Sequence, residues 1–120
     1  MRKLRPQLLT AEGFARYGTF TDLIAPQSPL FEKGQPQFYS DLATVELGCE
    51  HGYALSVALE EKRPENVIEF SEYHRTTGEG MVPLNGDIVI YCAPPTEGDT
   101  PPFDHFEAFL VPAGTAVILR

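Results

Sequence analysis

Eleven prolines and ten glycines in 120 residues cut this chain into short runs, and that punctuation limits the fold more than any other feature. Proline removes a backbone donor and fixes φ, so few stretches are long enough for a helix. The one helix signal is residues 8–18. There Thr10 is placed to cap a short helix, Phe14 and Tyr17 form an apolar face, and Gly18 is placed to end it in a left-handed conformation. The later runs alternate or are partly β-branched. Residues 19–24, 38–47, 53–59, 67–73, a return strand opening at Glu79, 88–93, 106–112 and 116–119 read as strands. Residues 26–36, 48–52, 62–65 and the proline-rich 94–102 read as loops and turns. Eight short strands behind one short helix predict an all-β sandwich or barrel, and a jelly-roll-like β-barrel fits best.

Length and charge narrow the setting. A chain of 120 residues reads as one domain, 1–120, with enough residues to bury a core. The net charge of −8 predicts no nucleic acid partner, because neutralising phosphates needs clustered Lys and Arg. Arg2, Lys3 and Arg5 open the chain and read as a solvated terminus. No run approaches the roughly 20 apolar residues that span a bilayer, so no membrane contact is expected. Cys49 and Cys92 are too few and too far apart for a disulfide scaffold; each reads as a small buried strand residue in a cytoplasmic protein.

The chemistry concentrates in Glu72-Tyr73-His74-Arg75-Thr76-Thr77-Gly78-Glu79, followed by Gly86-Asp87. Alternate residues of a strand share a side, so Glu72 and His74 project together, and a return strand brings Glu79 beside them. Such an N/O set suits a divalent Zn, Mn, Fe or Ni better than a soft metal. The competing reading is a charged surface hairpin. The spacing resembles the first motif of the cupin superfamily, with Glu72 in place of its first histidine and His74, Glu79 and Gly86 in register.

Other residues carry weaker signals. Arg75, a planar bidentate donor, suits a carboxylate ligand, or else is solvated at its turn. Tyr91 and Tyr53 either orient a ligand or pack with the hydroxyl at the rim. His105, two residues before Glu107, shares a strand face with it or sits at a loop edge. His51 and Asp87 read as turn residues.

Three stretches together resemble the ureidoglycolate lyase family of cupins. Residues 9–18 are similar to its LTxEAFAxYG, Phe38 to Ala43 to its RYHDLA, and the run from Glu72 through Glu79, Pro83 and Gly86 to its ERHPxGxQAFxPxxG. The departures are Glu79 for a glutamine, Ser40 for a histidine, Glu32 and Lys33 for asparagines, and Ala58-Leu59 for an Asn-Arg pair. The second cupin motif, PxGxxH, is matched by residues 112–117 with Val117 in place of the histidine. The family's closing Trp-His-His region is expected to begin where this sequence ends at Arg120. The resemblance implies a cupin jelly roll and metal-assisted C–N cleavage of ureidoglycolate to glyoxylate and urea. It implies Glu72, His74 and Glu79 as catalytic and metal-binding residues. Arg75, Tyr91 and His105 are expected to bind a small-molecule acid. A non-catalytic or regulatory cupin with a degenerate metal site is the alternative, and a sugar-nucleotide or small-acid isomerase follows from fold analogy alone. Strand edges left open at Arg120 predict a homodimer, with the strand from Thr19 a candidate to pair across it; the competing reading takes residues 116–119 as the final strand of a barrel that closes on its own.

Overall fold

The computed structural model describes residues 2–25, 41–46, 48, 54–59 and 61–120. Two strands precede the long middle of the chain and four follow it. They are β1 (Gln7–Leu8), β2 (Gly18–Asp22), β3 (Glu79–Met81), β4 (Ile88–Cys92), β5 (Glu107–Val111) and β6 (Thr115–Leu119), with one short helix, α1 (Ala11–Phe14). They form two three-stranded sheets, ordered β1-β5-β4 and β2-β6-β3. The architecture is all-β with little helix. Among the described residues the expected closed barrel is not found: the strands lie in two separate three-stranded sheets, and the chain passes from one to the other between β5 and β6.

The switch between sheets is the turn Pro112-Ala113-Gly114. Gly114 has φ of 78°, a conformation glycine adopts without a Cβ penalty, and Thr115 N–H closes the turn on the Pro112 carbonyl at 3.1 Å. Asp87 does more here than start its own turn: its carboxylate accepts from Ala113 N–H at 2.9 Å. Gly114 N–H donates to the Pro83 carbonyl at 2.7 Å.

The two sheets share one core. Ile90, Cys92, Phe109 and Val111 come from β4 and β5, Val117 from β6, and Phe14 and Tyr17 from α1 and its exit. A four-residue helix is too short to stand alone in water. It is held by Thr10, whose hydroxyl accepts from Gly13 N–H at 3.0 Å, and by the fully buried Phe14, whose ring meets Phe109 edge-on at 5.0 Å. Gly18 does not end the helix in a left-handed conformation as its sequence context predicts. It opens β2 instead, and a Cβ there would meet the Ile118 carbonyl oxygen at 1.7 Å, so glycine serves close strand approach.

The other sequence expectations divide by where they fall. Strands β2, β4, β5 and β6 lie within or beside their predicted runs, whereas β1, paired parallel to β5, carries no alternation long enough to predict. Residues 67–73 do not form the expected strand among the described residues, since alternation alone makes no ladder. Residues 41–46 and 54–59 likewise belong to no strand, although the Glu46 carbonyl accepts from Gly78 N–H at 3.0 Å; the rest of the runs 38–47 and 53–59, the loop 26–36, Cys49 and His51 lie outside the described residues. The strand from Thr19 has one edge occupied within the chain, by β6. Arg2 is not simply solvated, since its guanidinium donates to the carbonyls of Phe103 and Phe106 at 2.7 and 3.3 Å. Among the described residues no helix is long and apolar enough to cross a membrane.

Candidate functional site

An open cleft of about 470 Å³ lies where the exit of α1, the end of β4 and the start of β3 meet residues 71–77 and the proline-rich loop 93–102. Sheet register sets one side of it. Gly18 pairs with Leu119, and Leu119 pairs with Glu79, so the entry to β2 and the start of β3 lie two strands apart at one end of the sheet. A second opening of about 260 Å³ shares Glu72, Glu79 and Tyr91 with the first.

His74 sits between the two motif carboxylates. Its Nε2 is 3.6 Å from Glu72 Oε1 and 3.5 Å from Glu79 Oε2. The sequence spacing therefore brings these three residues together, although only Glu79 stands on a strand. Those separations are close to the roughly 3.4 Å edge of a tetrahedron with zinc-type bonds. Yet among the described residues no three His, Cys, Asp or Glu side chains are grouped as a metal site. Val117, in place of the second-motif histidine, is fully buried in the core.

The remaining predicted residues separate. Arg75 lines the cleft, with Nη2 2.9 Å from Asp99 Oδ1 and its guanidinium 5.3 Å from the Tyr73 ring centre. Tyr73 donates to the same Asp99 oxygen at 2.6 Å. Tyr91 also lines it, but its hydroxyl donates to the Phe70 carbonyl at 2.6 Å. His105 is not part of the cleft. The expected strand begins only at Glu107, because Pro101 and Pro102 lead into a 3-10 turn, Phe103–His105, in which His105 N–H donates to the Pro102 carbonyl. His105 is exposed there.

Glu107, Tyr17, Gln7 and Arg16, none of them assigned to the site from sequence, complete its surroundings. Glu107 shares a strand face with Phe109 and Val111, so it is carried toward the core and meets the Tyr17 hydroxyl, which donates to it. Gln7 donates to its other oxygen at 3.4 Å, and Arg16 Nη1 lies 3.9 Å away. The Tyr17 hydrogen bond is the main cause holding the Glu107 carboxyl below its usual range. Tyr17 is pushed up to about 12, first by burial and then by its bond to Glu107. Burial, followed by the Glu107 charge, pushes the Cys92 thiol up to about 11, which keeps it protonated and unsuited to nucleophilic attack at neutral pH. An acidic residue in phase with Phe109 and Val111 was a readable signal for Glu107. Nothing in the sequence connects Asp99 to Arg75.

The model of the ureidoglycolate lyase family matches residues 1–120. A ureidoglycolate lyase from Rhodobacter capsulatus is 30% identical over 122 residues, an alignment covering 100% of this chain and 74% of that protein. No solved structure matches the chain.

Proposed function

The chain belongs to the ureidoglycolate lyase family, and from that premise we propose that its cleft cleaves ureidoglycolate to glyoxylate and urea. The observation that carries this reading is His74 Nε2 lying 3.5 Å from Glu79 and 3.6 Å from Glu72 at an open cleft sized for a small acid. A cupin jelly roll is the fold we propose with it, on the strength of the family match and the all-β sheets.

The reaction needs one base and one acid close together. Glu79 takes the proton of the carbinol hydroxyl, which requires contact within about 3 Å. The O–H electron pair becomes the second bond of the aldehyde carbonyl as the C–N bond breaks toward the ureido nitrogen. His74 delivers a proton to that nitrogen, and urea departs. Proton return from Glu79 to His74, across the 3.5 Å separation, restores the starting state. Glu72 orients the imidazole from its other side. Arg75 and Tyr91 line the space in which a small acid is held.

No step here is routed through a metal, since the three donors are not grouped as a ligand set. A divalent ion, Zn, Mn, Fe or Ni, would be held by His74 with Glu79 and Glu72, and would polarise substrate oxygens there. Elemental analysis of the purified protein and of His74→Ala tests that arrangement directly. The burial of Val117 favours a second reading, a binding cupin without turnover. Release of glyoxylate and urea from ureidoglycolate separates the two, with a fall of about 100-fold or more expected for His74→Ala.

A further inference from the structure

The chain carries nine basic residues against 17 acidic ones, yet Arg16, Arg75 and Arg120 all line the larger cleft. Arg75 is already engaged, with Asp99 at 2.9 Å and the Tyr73 ring beneath its guanidinium. Arg16 is held differently. Its guanidinium lies 5.3 Å from the Tyr17 ring centre and 3.9 Å from Glu107 Oε2, beyond hydrogen-bond length, and its side chain is 60% exposed. It is thus positioned by a buried ring and by its ion pair with Glu107, with no hydrogen bond to its N–H fork among the described residues. Glu107 is fixed in turn by the Tyr17 hydroxyl and the Gln7 amide.

We propose that Arg16 takes the carboxylate of the substrate and that Glu107 and Tyr17 are its positioning residues. The proposal rests on the lyase reading above for the identity of the acid. Register supplies the distance. Gly18 and Glu79 flank Leu119 on adjacent strands, so their backbones are about 10 Å apart at two strand spacings. Arg16 lies two residues before Gly18, and it lines the same cleft as Glu79 and His74. A two-carbon acid with its carboxylate on Arg16 then directs its carbinol carbon toward Glu79 and His74. The guanidinium suits this role because its planar fork bonds both carboxylate oxygens at once, which an ammonium does not reproduce.

The test compares wild type, Arg16→Ala and Arg16→Lys in ureidoglycolate kinetics and in calorimetric binding of glyoxylate and of urea. Arg16→Ala should raise KM and weaken glyoxylate binding by about tenfold or more, with kcat within about threefold and urea binding unchanged. Arg16→Lys should recover part of the loss, and all three should melt alike because the side chain is exposed. Unchanged KM and unchanged glyoxylate affinity in Arg16→Ala overturn the proposal, as does a wild type that does not bind glyoxylate. A wild type that binds glyoxylate through Arg16 but releases no products upholds the carboxylate site and removes the lyase reading.

Discussion

Tyr17 and Tyr73 each form part of a wall of the same cleft, and they are held in different ways. Tyr17 is 6% exposed, backed by the rings of Phe14 and Phe109, with its hydroxyl on Glu107. The strands behind it are paired along β2, β6 and β3. Tyr73 belongs to an exposed segment outside the described strands, and its position rests on bonds among exposed side chains: Tyr73 and Arg75 to Asp99, with Tyr91 on the Phe70 carbonyl. The first wall is set by burial, which many contacts reinforce. The second is set by exposed polar contacts that contribute little individually. Arg16 and Glu79 therefore stand on the firm side of the cleft, and Glu72, His74 and Arg75 on the adaptable side.

The largest effect should come from the firm wall. Phe14→Ala removes a fully buried ring with three aromatic neighbours and should cost about 3–5 kcal/mol in denaturant unfolding. That is a large share of the roughly 5–15 kcal/mol available to a domain. A loss comparable to a surface substitution would erase the distinction between the walls.

Tyr17→Phe should be milder, about 1–2 kcal/mol at neutral pH, because it removes a hydrogen bond to a charged acceptor and keeps the ring. It should also change the pH dependence. The Tyr17 pKa rises from 10.0 unfolded to about 12 folded, so its contribution is whole below pH 10 and disappears as pH rises from 10 to 12. Glu107 is shifted down, so its contribution is whole above its ordinary value of 4.5 and disappears as pH falls through the lower folded value. Melting curves of Tyr17→Phe should lose the part of the alkaline decline that Tyr17 causes between pH 10 and 12, keep the part that the raised Cys92 thiol causes, and soften the acid decline. An alkaline decline equal to that of wild type would show that the Tyr17–Glu107 bond does not anchor this wall.

The smallest stability effect belongs to the adaptable wall. Asp99→Ala should leave Tm within about 2 °C, since its partners are exposed. The NMR signals of the His74 ring should nonetheless move, because Asp99 ties the 71–77 segment to the proline-rich loop. A Tm loss as large as that of Tyr17→Phe would place the two walls on equal footing.

These walls also differ in how far the sequence foretold them. Thr10, Phe14 and Tyr17 declared the helix and its buried face through local rules of capping and spacing, and the runs around β2, β4, β5 and β6 declared themselves by apolar pattern. Gly18 was misread because its role, admitting the Ile118 carbonyl, depends on a strand a hundred residues away. Residues 67–73 were misread for a related reason: alternation marks a tendency, and a strand exists only where a neighbour supplies the ladder. The Glu72, His74 and Glu79 grouping was legible from spacing even though the predicted strand beneath it did not form. Arg16 and Asp99 were not, since each acquires meaning from a partner distant in sequence. His105 was misassigned by treating the residues after Pro101-Pro102 as strand, when those prolines lead into a 3-10 turn.

The most direct measurement of the central claim is the product balance of the purified chain with ureidoglycolate. The account predicts glyoxylate and urea in equal amounts, with His74→Ala retaining its fold and losing about 100-fold or more in rate. No product from a folded wild type, or an equal rate from His74→Ala, would contradict it.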